Sequence, residues 1–216
     1  MTTIEELRRL PSPAPRPQAL AYDGTTLWMG SVATGRLYAI DPLHWTVHEE
    51  VQAPGMPWGM AVVGGELRVV CGFGEEDDRY ICRFIPGHGF KENEKIACPD
   101  FTGSQLGYDG EMLFLSQFYN SRVLELDAHG GIVRSIDAPR QICGQTILDG
   151  TIYLLTTADE TKPEYFITQV DARGTVPRTR DLAVVPFHAR SLAFDGSRFW
   201  TSHREAHEIV AFADPR

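Results

Sequence analysis

QALAYDGTTLW, residues 18–28, is the stretch that decides the fold, because the chain repeats its outline. It consists of an apolar run, an Asp-Gly turn signal and a second apolar run, which together predict a β-hairpin. Four further copies read WGMAVVGGELRV, SQLGYDGEMLF, GQTILDGTIY and RSLAFDGSRFW, and they begin at Trp58, Ser104, Gly144 and Arg190. The sequence therefore predicts five equivalent hairpins.

The spacing of the turns predicts the architecture. Asp23, Val63, Asp109, Asp149 and Asp195 occupy equivalent turn positions, 40, 46, 40 and 46 residues apart. After each hairpin the chain adds two more strand-like runs, such as GRLYAIDP and WTVHEEVQAP, so that the unit is a four-stranded antiparallel meander. That is the size of a propeller blade. We therefore predict an all-β chain whose residues 1–216 form a single five-bladed β-propeller domain.

The N-terminal segment is expected to close the ring. The last repeat ends with HEIVAFADPR, after its third strand, and so lacks a fourth. Residues 3–10, TIEELRRL, are in a position to supply that strand, which would remove an exposed sheet edge. A short helix is the competing interpretation, because Ile4, Leu7 and Leu10 recur every three residues. We favour the strand.

Composition excludes several classes of function. A net charge of −9 disfavours general nucleic-acid binding, which requires a cationic surface. No stretch approaches the roughly 18 consecutive apolar residues of a membrane span, and the N-terminus lacks the apolar core of a signal peptide. We expect a cytoplasmic protein without a membrane partner, either a monomer or a weak homo-oligomer.

The four cysteines lack the spacing of a zinc or dithiol motif. Cys71, Cys82, Cys98 and Cys143 contain no C-x-x-C pair, so buried free thiols are expected. Cys71 and Cys82 flank a single hairpin loop and can lie opposite each other on neighbouring strands. Whether they form a disulfide is left open by the sequence.

In a propeller, the first strand of each blade lines the central channel, and the loops around one mouth of that channel usually carry the function. Superposing the five hairpins by their turns places polar side chains at this mouth. The predicted ligand-binding set from these strands is Gln18, Trp58, Gln105, Gln145 and Arg190. These positions include no Asp or Glu, so neither a metal site nor a cofactor is expected.

Arginines and aromatic residues indicate what the mouth binds. Arg16, Arg140 and Arg190 approach it at equivalent positions, and arginine holds carboxylates and phosphates by paired hydrogen bonds. Phe187 and Tyr119 add aromatic surface that suits a flat organic ligand. Alternatively, the arginines pair with the acidic loop residues 75–78 and with Glu205.

Two histidines are the candidates for acid–base chemistry. His188 and His203 belong to the same repeat, and Glu205 lies close to His203 in the sequence. A histidine with an orienting carboxylate can act as a general base. The alternative is a pair of histidines that only form hydrogen bonds.

The stretches QALAYDGTTLW, GRLYAIDP and PWGMAVVGGEL resemble the glutamine cyclotransferases and, more loosely, virginiamycin B lyase-like propellers. The likeness spans nearly the whole chain and implies a five-bladed propeller. In the cyclotransferases, the first strand of the second blade carries a catalytic glutamate, whereas Trp58 stands at that place here. Tryptophan cannot transfer a proton as a carboxylate does, so the resemblance implies the fold and not glutamine cyclisation.

Together these features predict that the mouth binds a small anionic or aromatic organic molecule. An enzyme of this kind would use metal-free acid–base chemistry of the lyase, cyclase or hydrolase type, with His188 or His203 as the base. A non-catalytic binding module and a protein-interaction scaffold remain open alternatives.

Overall fold

The computed structural model describes residues 1–174 and 176–216. These residues form 21 strands and one short 3-10 helix, Pro99–Phe101. In chain order the strands are β1 Thr2–Thr3, β2 Glu6–Pro11, β3 Pro17–Tyr22, β4 Leu27–Ser31, β5 Arg36–Asp41, β6 Thr46–Gln52, β7 Met56–Val63, β8 Glu66–Phe73, β9 Asp78–Ile85, β10 Gly89–Ala97, β11 Leu106–Tyr108, β12 Leu113–Gln117, β13 Arg122–Leu126, β14 Ile132–Asp137, β15 Gln141–Leu148, β16 Thr151–Thr157, β17 Tyr165–Asp171, β18 Arg178–Val185, β19 Ala189–Phe194, β20 Arg198–His203 and β21 Glu208–Ala213.

The strands form five sheets arranged as a ring. Blades 1 to 4 are β3–β6, β7–β10, β11–β14 and β15–β18, and blade 5 is β19–β21 completed by β2. Each innermost strand contacts the innermost strands of two other blades, in the cyclic order β3, β7, β11, β15, β19 and back to β3. The chain is therefore an all-β, five-bladed propeller, and the predicted fold class is confirmed.

The innermost strands approach one another so closely that glycine is required at two positions. A Cβ atom on Gly59 would lie 2.4 Å from the carbonyl oxygen of Ser104. A Cβ atom on Gly144 would lie 2.5 Å from the carbonyl carbon of Ser191. Because both distances are shorter than van der Waals contact, any other residue would push the neighbouring blades apart. These glycines keep the channel narrow.

The N-terminus closes the ring, as predicted. β2 pairs antiparallel with β21, with Leu10 opposite Ile209, and becomes the fourth strand of blade 5. This strand begins at Glu6 and not at Thr3, because Thr2–Thr3 pairs in parallel with β18 at the edge of blade 4. Between the two strands, Ile4 is buried in the core that blades 4 and 5 share. The N-terminus thus holds both blades, and the helical alternative is not adopted.

The turn aspartates explain why the motif recurs. Asp23 accepts a hydrogen bond from the backbone N–H of Thr26 at 2.8 Å and another from the indole of Trp28 at 2.7 Å. Asp195 accepts the corresponding bond from the Trp200 indole at 2.8 Å. Both tryptophans are buried in the core. One carboxylate therefore fixes the turn and orients the large side chain that packs between blades.

These two carboxylates should make stability depend on pH. Burial acts to raise the pKa of Asp23 and Asp195, but the indole and turn hydrogen bonds outweigh it and hold each pKa below its ordinary value of 3.8. A carboxylate whose pKa is lower in the folded state than in the unfolded state stabilises the folded state when it is ionised. That stabilisation is complete above the unfolded-state pKa and is lost as the pH falls through the folded-state pKa. We expect the unfolding free energy of the wild type to fall more steeply below about pH 4 than that of the Asp23→Asn/Asp195→Asn variant, measured by urea unfolding. Equal pH slopes would contradict this role.

Among the described residues the one helix is the three-residue turn Pro99–Phe101, so no membrane-spanning helix is found.

Candidate functional site

Bulges in the innermost strands direct side chains to one end of the channel. β3, β7 and β15 each contain one extra residue, and these are Gln18, Trp58 and Cys143. A bulge re-aims the side chain that it inserts. All three residues line a cavity of about 290 Å³, which we call the mouth cavity. Its complete lining is Arg16, Gln18, Trp58, Arg79, Ser104, Gln105, Phe118, Tyr119, Ile142, Cys143, Glu160, Arg190 and Arg204.

The mouth cavity brings together six of the residues selected from the sequence. They are Arg16, Gln18, Trp58, Gln105, Tyr119 and Arg190. Gln105 is buried, and its Nε2 donates a hydrogen bond to the Trp58 carbonyl oxygen at 2.9 Å. That bond joins the walls contributed by blades 2 and 3.

Gln145 lies outside the mouth cavity, which corrects the predicted placement. Between bulge and turn, the innermost strand of blade 4 has one residue more than that of blade 1: residues 144–148 compared with 19–22. Superposition by the turns therefore displaced blade 4 by one residue, and Cys143 occupies the mouth. Gln145 instead lines a cavity of about 170 Å³ next to the hairpin turns. Its Nε2 donates to the Phe114 carbonyl oxygen, and its Oε1 has no partner in the described part of the chain.

The mouth cavity is electropositive, although the protein as a whole is acidic. Its charged residues are Arg16, Arg79, Arg190, Arg204 and Glu160. Arg79, Arg190 and Arg204 each have a carboxylate within salt-bridge distance. Within residues 1–174 and 176–216, the Arg16 guanidinium has no such partner. Because three carboxylates face four guanidinium groups, one positive charge remains at the mouth.

Arg190 is fixed in place by its surroundings, with only 8% of its side chain exposed. Its Nη1 donates to the Tyr165 hydroxyl at 2.8 Å and to the Ala189 carbonyl oxygen at 2.9 Å. Its Nη2 pairs with Glu160 at 3.1 Å. Burial acts to lower the pKa of Arg190, but Cys143 and Tyr165 outweigh it and the pKa is raised. Arg190 is therefore a permanent, oriented charge.

Arg204 has donors left for a ligand. Its Nη1 donates to the Oε1 of Gln18 at 3.1 Å, and its Nε pairs with Glu205 at 3.2 Å. No described residue accepts a hydrogen bond from its Nη2. Burial lowers the pKa of Arg204, and the charges of Arg190 and Arg16 lower it further. The three guanidinium groups thus repel one another across the cavity, and a bound anion would relieve that repulsion.

The cavity has an aromatic side as well as a cationic one. On blade 2, the Trp58 ring lies under the Arg79 guanidinium, whose central carbon is 4.1 Å from the ring centroid. On blade 3, Phe118 packs edge-to-face against Tyr119, with centroids 5.0 Å apart. Tyr119 is 82% exposed and stands at the rim. The cavity therefore offers flat apolar surface on blades 2 and 3.

Cys143 lies beside Arg190 but is not poised as a nucleophile. Its sulfur is 3.7 Å from the Nη1 of Arg190. Burial raises the pKa of the Cys143 thiol to about 11, against the lowering effect of Arg190. The thiol therefore stays protonated at neutral pH.

The two histidines occupy different places. His188 lines a second cavity, of about 350 Å³, that shares Glu160, Arg190 and Arg204 with the mouth cavity. The His203 ring instead packs on Phe187 at 4.9 Å.

The predicted pairing of His203 with Glu205 is wrong. Glu205 pairs with Arg204, and the carboxylate near His203 is that of Glu208, at 3.6 Å. His203 ends β20 and lies opposite Glu208 of β21, whereas Glu205 lies beyond the end of the strand. Burial lowers the pKa of His203, and the charge of Arg9 lowers it further.

Arg140 and Phe187 also lie away from the mouth cavity, contrary to their predicted places. Arg140 forms an ion pair with Asp181 of its own blade and donates to the Thr168 hydroxyl at 3.2 Å. Arg140 therefore follows the alternative in which the arginines pair with acidic residues, although its partner is Asp181 on β18 and not residues 75–78 or Glu205. Phe187 is buried in the core between blades 4 and 5, where the Arg9 guanidinium covers its ring at 4.9 Å.

No protein-family profile matches the chain, and no curated protein matches it significantly. Solved structures do match the chain. Glutaminyl cyclase from Myxococcus xanthus is 13% identical, with 97% of this chain and 95% of that chain covered and a TM-score of 0.52. Virginiamycin B lyase from Staphylococcus aureus is 13% identical, with 95% and 68% covered and a TM-score of 0.53. The calcium-binding protein regucalcin from Agrobacterium tumefaciens is 13% identical, with 98% and 95% covered and a TM-score of 0.63.

These similarities concern the fold alone. The chain spans 66% of the length of a streptogramin B lyase structure, at 15% identity. Proteins this distant use one architecture for different tasks. The similarity therefore supports the propeller and selects no ligand.

Proposed function

We propose that the mouth cavity binds a small organic anion whose carboxylate or phosphate group lies among Arg16, Arg190 and Arg204. The observation that carries the proposal is the surplus of guanidinium donors: Arg16 has no carboxylate partner among the described residues, and the Nη2 of Arg204 is free there. Hydrogen bonds between arginine and an anion are charge-assisted and can be bidentate.

Pre-organisation supports this assignment. Arg190 is held by Tyr165, Ala189 and Glu160, so binding does not have to order its long side chain. Arg204 is likewise anchored at one end by Gln18. An anion that enters would meet charges whose positions are already set.

The size and the aromatic wall limit the ligand. The cavity of about 290 Å³ lies near the lower end of the range for small-molecule sites. Trp58 and Tyr119 offer flat apolar surface on blades 2 and 3, whereas Arg16 and Arg204 come from blades 1 and 5. A compact molecule with an anionic end and a planar or apolar body suits this arrangement.

Thermal stability in the presence of simple anions tests the proposal. We expect benzoate and inorganic phosphate to raise the Tm of the wild type above its value in chloride at equal ionic strength, because a ligand that binds only the folded state stabilises it. Benzoate, which can also use the aromatic wall, should act at the lower concentration. If neither anion raises the Tm, anion binding is wrong and the scaffold alternative gains support.

A catalytic form of this proposal assigns proton transfer to His188. The second cavity, which His188 lines, shares three residues with the mouth cavity, whereas His203 packs on Phe187. A glutaminyl cyclase and a virginiamycin B lyase are among the proteins that share the fold, and both names denote enzymes. Incubation with a mixture of small carboxylates and phosphates, followed by mass spectrometry, would reveal turnover. Consumption that persists in His188→Gln would refute this assignment.

A further inference from the structure

Blade 2 carries two thiols that the mouth cavity does not use. Cys71 of β8 lies opposite Tyr80, and Cys82 of β9 lies opposite Val69, so the cysteines are diagonal neighbours and not directly opposed. Both are buried in the core between blades 1 and 2. Both are free thiols.

Only one of these thiols can be reached from the surface. Cys82 lines a cavity of about 120 Å³, together with Phe73, Phe90, Lys91, Glu92 and Lys95, whereas Cys71 does not. The opening results from an irregularity in β10: Phe90 pairs with Phe84 and Lys95 with Cys82, so the residues between them leave the ladder.

Lys95, which lies opposite Cys82 in the β10–β9 pairing, brings a positive charge to this cavity. The Lys95 ammonium lies 4.8 Å from the Phe73 ring centroid and 4.6 Å from that of Tyr80, which holds it at the cavity. The other charged groups that line this cavity are Lys91 and Glu92.

The pKa of the Cys82 thiol is lowered, whereas the pKa values of the other three cysteines are raised. Its interaction with the neighbouring Cys71 thiol lowers the pKa of Cys82, and the charge of Lys95 lowers it further, against burial. The same interaction, together with burial, raises the pKa of Cys71. Burial raises the pKa of Cys98 to about 12 and that of Cys143 to about 11. Cys82 is therefore the thiol that ionises first, and only a thiolate reacts as a nucleophile.

We propose that Cys82 is a site of oxidation by small hydroperoxides, with Cys71 as the thiol that resolves the product. The cavity at Cys82 has room for hydrogen peroxide or a small alkyl hydroperoxide, and the Lys95 ammonium can stabilise the leaving oxygen. This inference is independent of the ligand of the mouth cavity.

The chemistry balances without a further reactant. The Cys82 thiolate attacks one peroxide oxygen, the O–O bond breaks, and the departing alkoxide or hydroxide takes up a proton; sulfur is oxidised to sulfenic acid and the peroxide is reduced to alcohol or water. The Cys71 thiol then passes its proton to the sulfenic oxygen as its sulfur attacks the sulfenic sulfur, the S–O bond breaks, and the oxygen leaves as water. The sum is two thiols and one hydroperoxide giving one disulfide, one alcohol or water, and one water.

The resulting disulfide would be readily reduced again. Diagonal neighbours on adjacent strands lie farther apart than directly opposed residues, so bridging them requires local movement of β8 and β9. A disulfide formed at the cost of such movement has a higher reduction potential than a relaxed one.

Peptide mass spectrometry of the folded protein tests the proposal. We expect hydrogen peroxide to give a Cys71–Cys82 disulfide while Cys98 and Cys143 remain free for alkylation after unfolding. In Cys71→Ser, dimedone should label Cys82 as the trapped sulfenic acid. Lys95→Gln should slow the reaction about fivefold or more, whereas Lys162→Gln, an exposed lysine elsewhere, should not.

Two outcomes would overturn the proposal that Cys82 is the site of oxidation. Oxidation that begins at Cys98 or Cys143, or that spreads equally over the four cysteines, contradicts the assignment. An unlabelled Cys82 in Cys71→Ser also contradicts it if thermal unfolding shows that the variant is folded. If Cys71→Ser does not fold, the pattern of oxidation among the four cysteines of the wild-type protein still tests the proposal.

Discussion

A variant that lacks residues 1–11 is expected to lose about 5 kcal/mol or more of unfolding free energy, which equals the whole stability of many domains. The deletion removes β1 and β2 and therefore leaves β21 as an open edge at the ring closure. It also removes the buried Ile4 side chain and the backbone hydrogen bond from Ile4 to the Val184 carbonyl oxygen at 2.9 Å. Each fully buried aliphatic side chain contributes about 1.5–3 kcal/mol and each hydrogen bond about 1 kcal/mol.

A shorter deletion provides the control. Removing residues 1–3 takes away β1 but keeps β2, so blade 5 stays complete and the loss should be only about 1–2 kcal/mol. Urea unfolding followed by circular dichroism measures both variants, and size-exclusion chromatography detects association through the open edge. If the two deletions cost the same, the ring is not closed by β2.

The double variant Arg16→Gln/Arg204→Gln is expected to lose affinity for benzoate by about 100-fold or more, because each charge-assisted hydrogen bond contributes about 1.5–3 kcal/mol. Glutamine keeps a donor and most of the length of each side chain, and Arg190 remains to hold its own contacts. Isothermal titration calorimetry measures the change.

The matched control is Arg134→Gln/Arg173→Gln. It changes the net charge by the same amount, and neither arginine lines the mouth cavity: Arg134 pairs with Glu125, and Arg173 pairs with Asp171. We expect this control to bind benzoate with wild-type affinity. Equal losses in both double variants would show that only the overall charge matters, and the local site would be wrong.

The sequence predicts the blades well because each strand obeys a local rule. Alternating apolar positions and Asp-Gly turns are set within a few residues of one another, so hairpins and blade number follow from pattern alone. The bulges do not follow from the pattern. The extra residue between bulge and turn in blade 4 has no separate sequence signal, and it moved Gln145 out of the mouth cavity.

The partners of long charged side chains were the hardest to predict. Arg140 reaches Asp181, 41 residues away on β18, and His203 reaches Glu208, which lies opposite it on β21. These cross-strand partners depend on the strand register, which the sequence pattern does not determine. Arg79 was missed although a signal existed. Arg36 and Arg122 begin β5 and β13, and Arg79 is the second residue of β9. They recur every 43 residues, and the middle one reaches the mouth cavity.

Anomalous diffraction from crystals soaked in 4-bromobenzoate tests the central claim most directly, since bromine marks the position of the ligand without assumptions about affinity. The carboxylate should lie between Arg16 and Arg204, with the bromine peak on the side of Trp58 and Tyr119. No bromine peak in the mouth cavity at saturating ligand, or a peak only at a remote surface that persists in Arg16→Gln/Arg204→Gln crystals, would contradict the assignment of this cavity as an anion site.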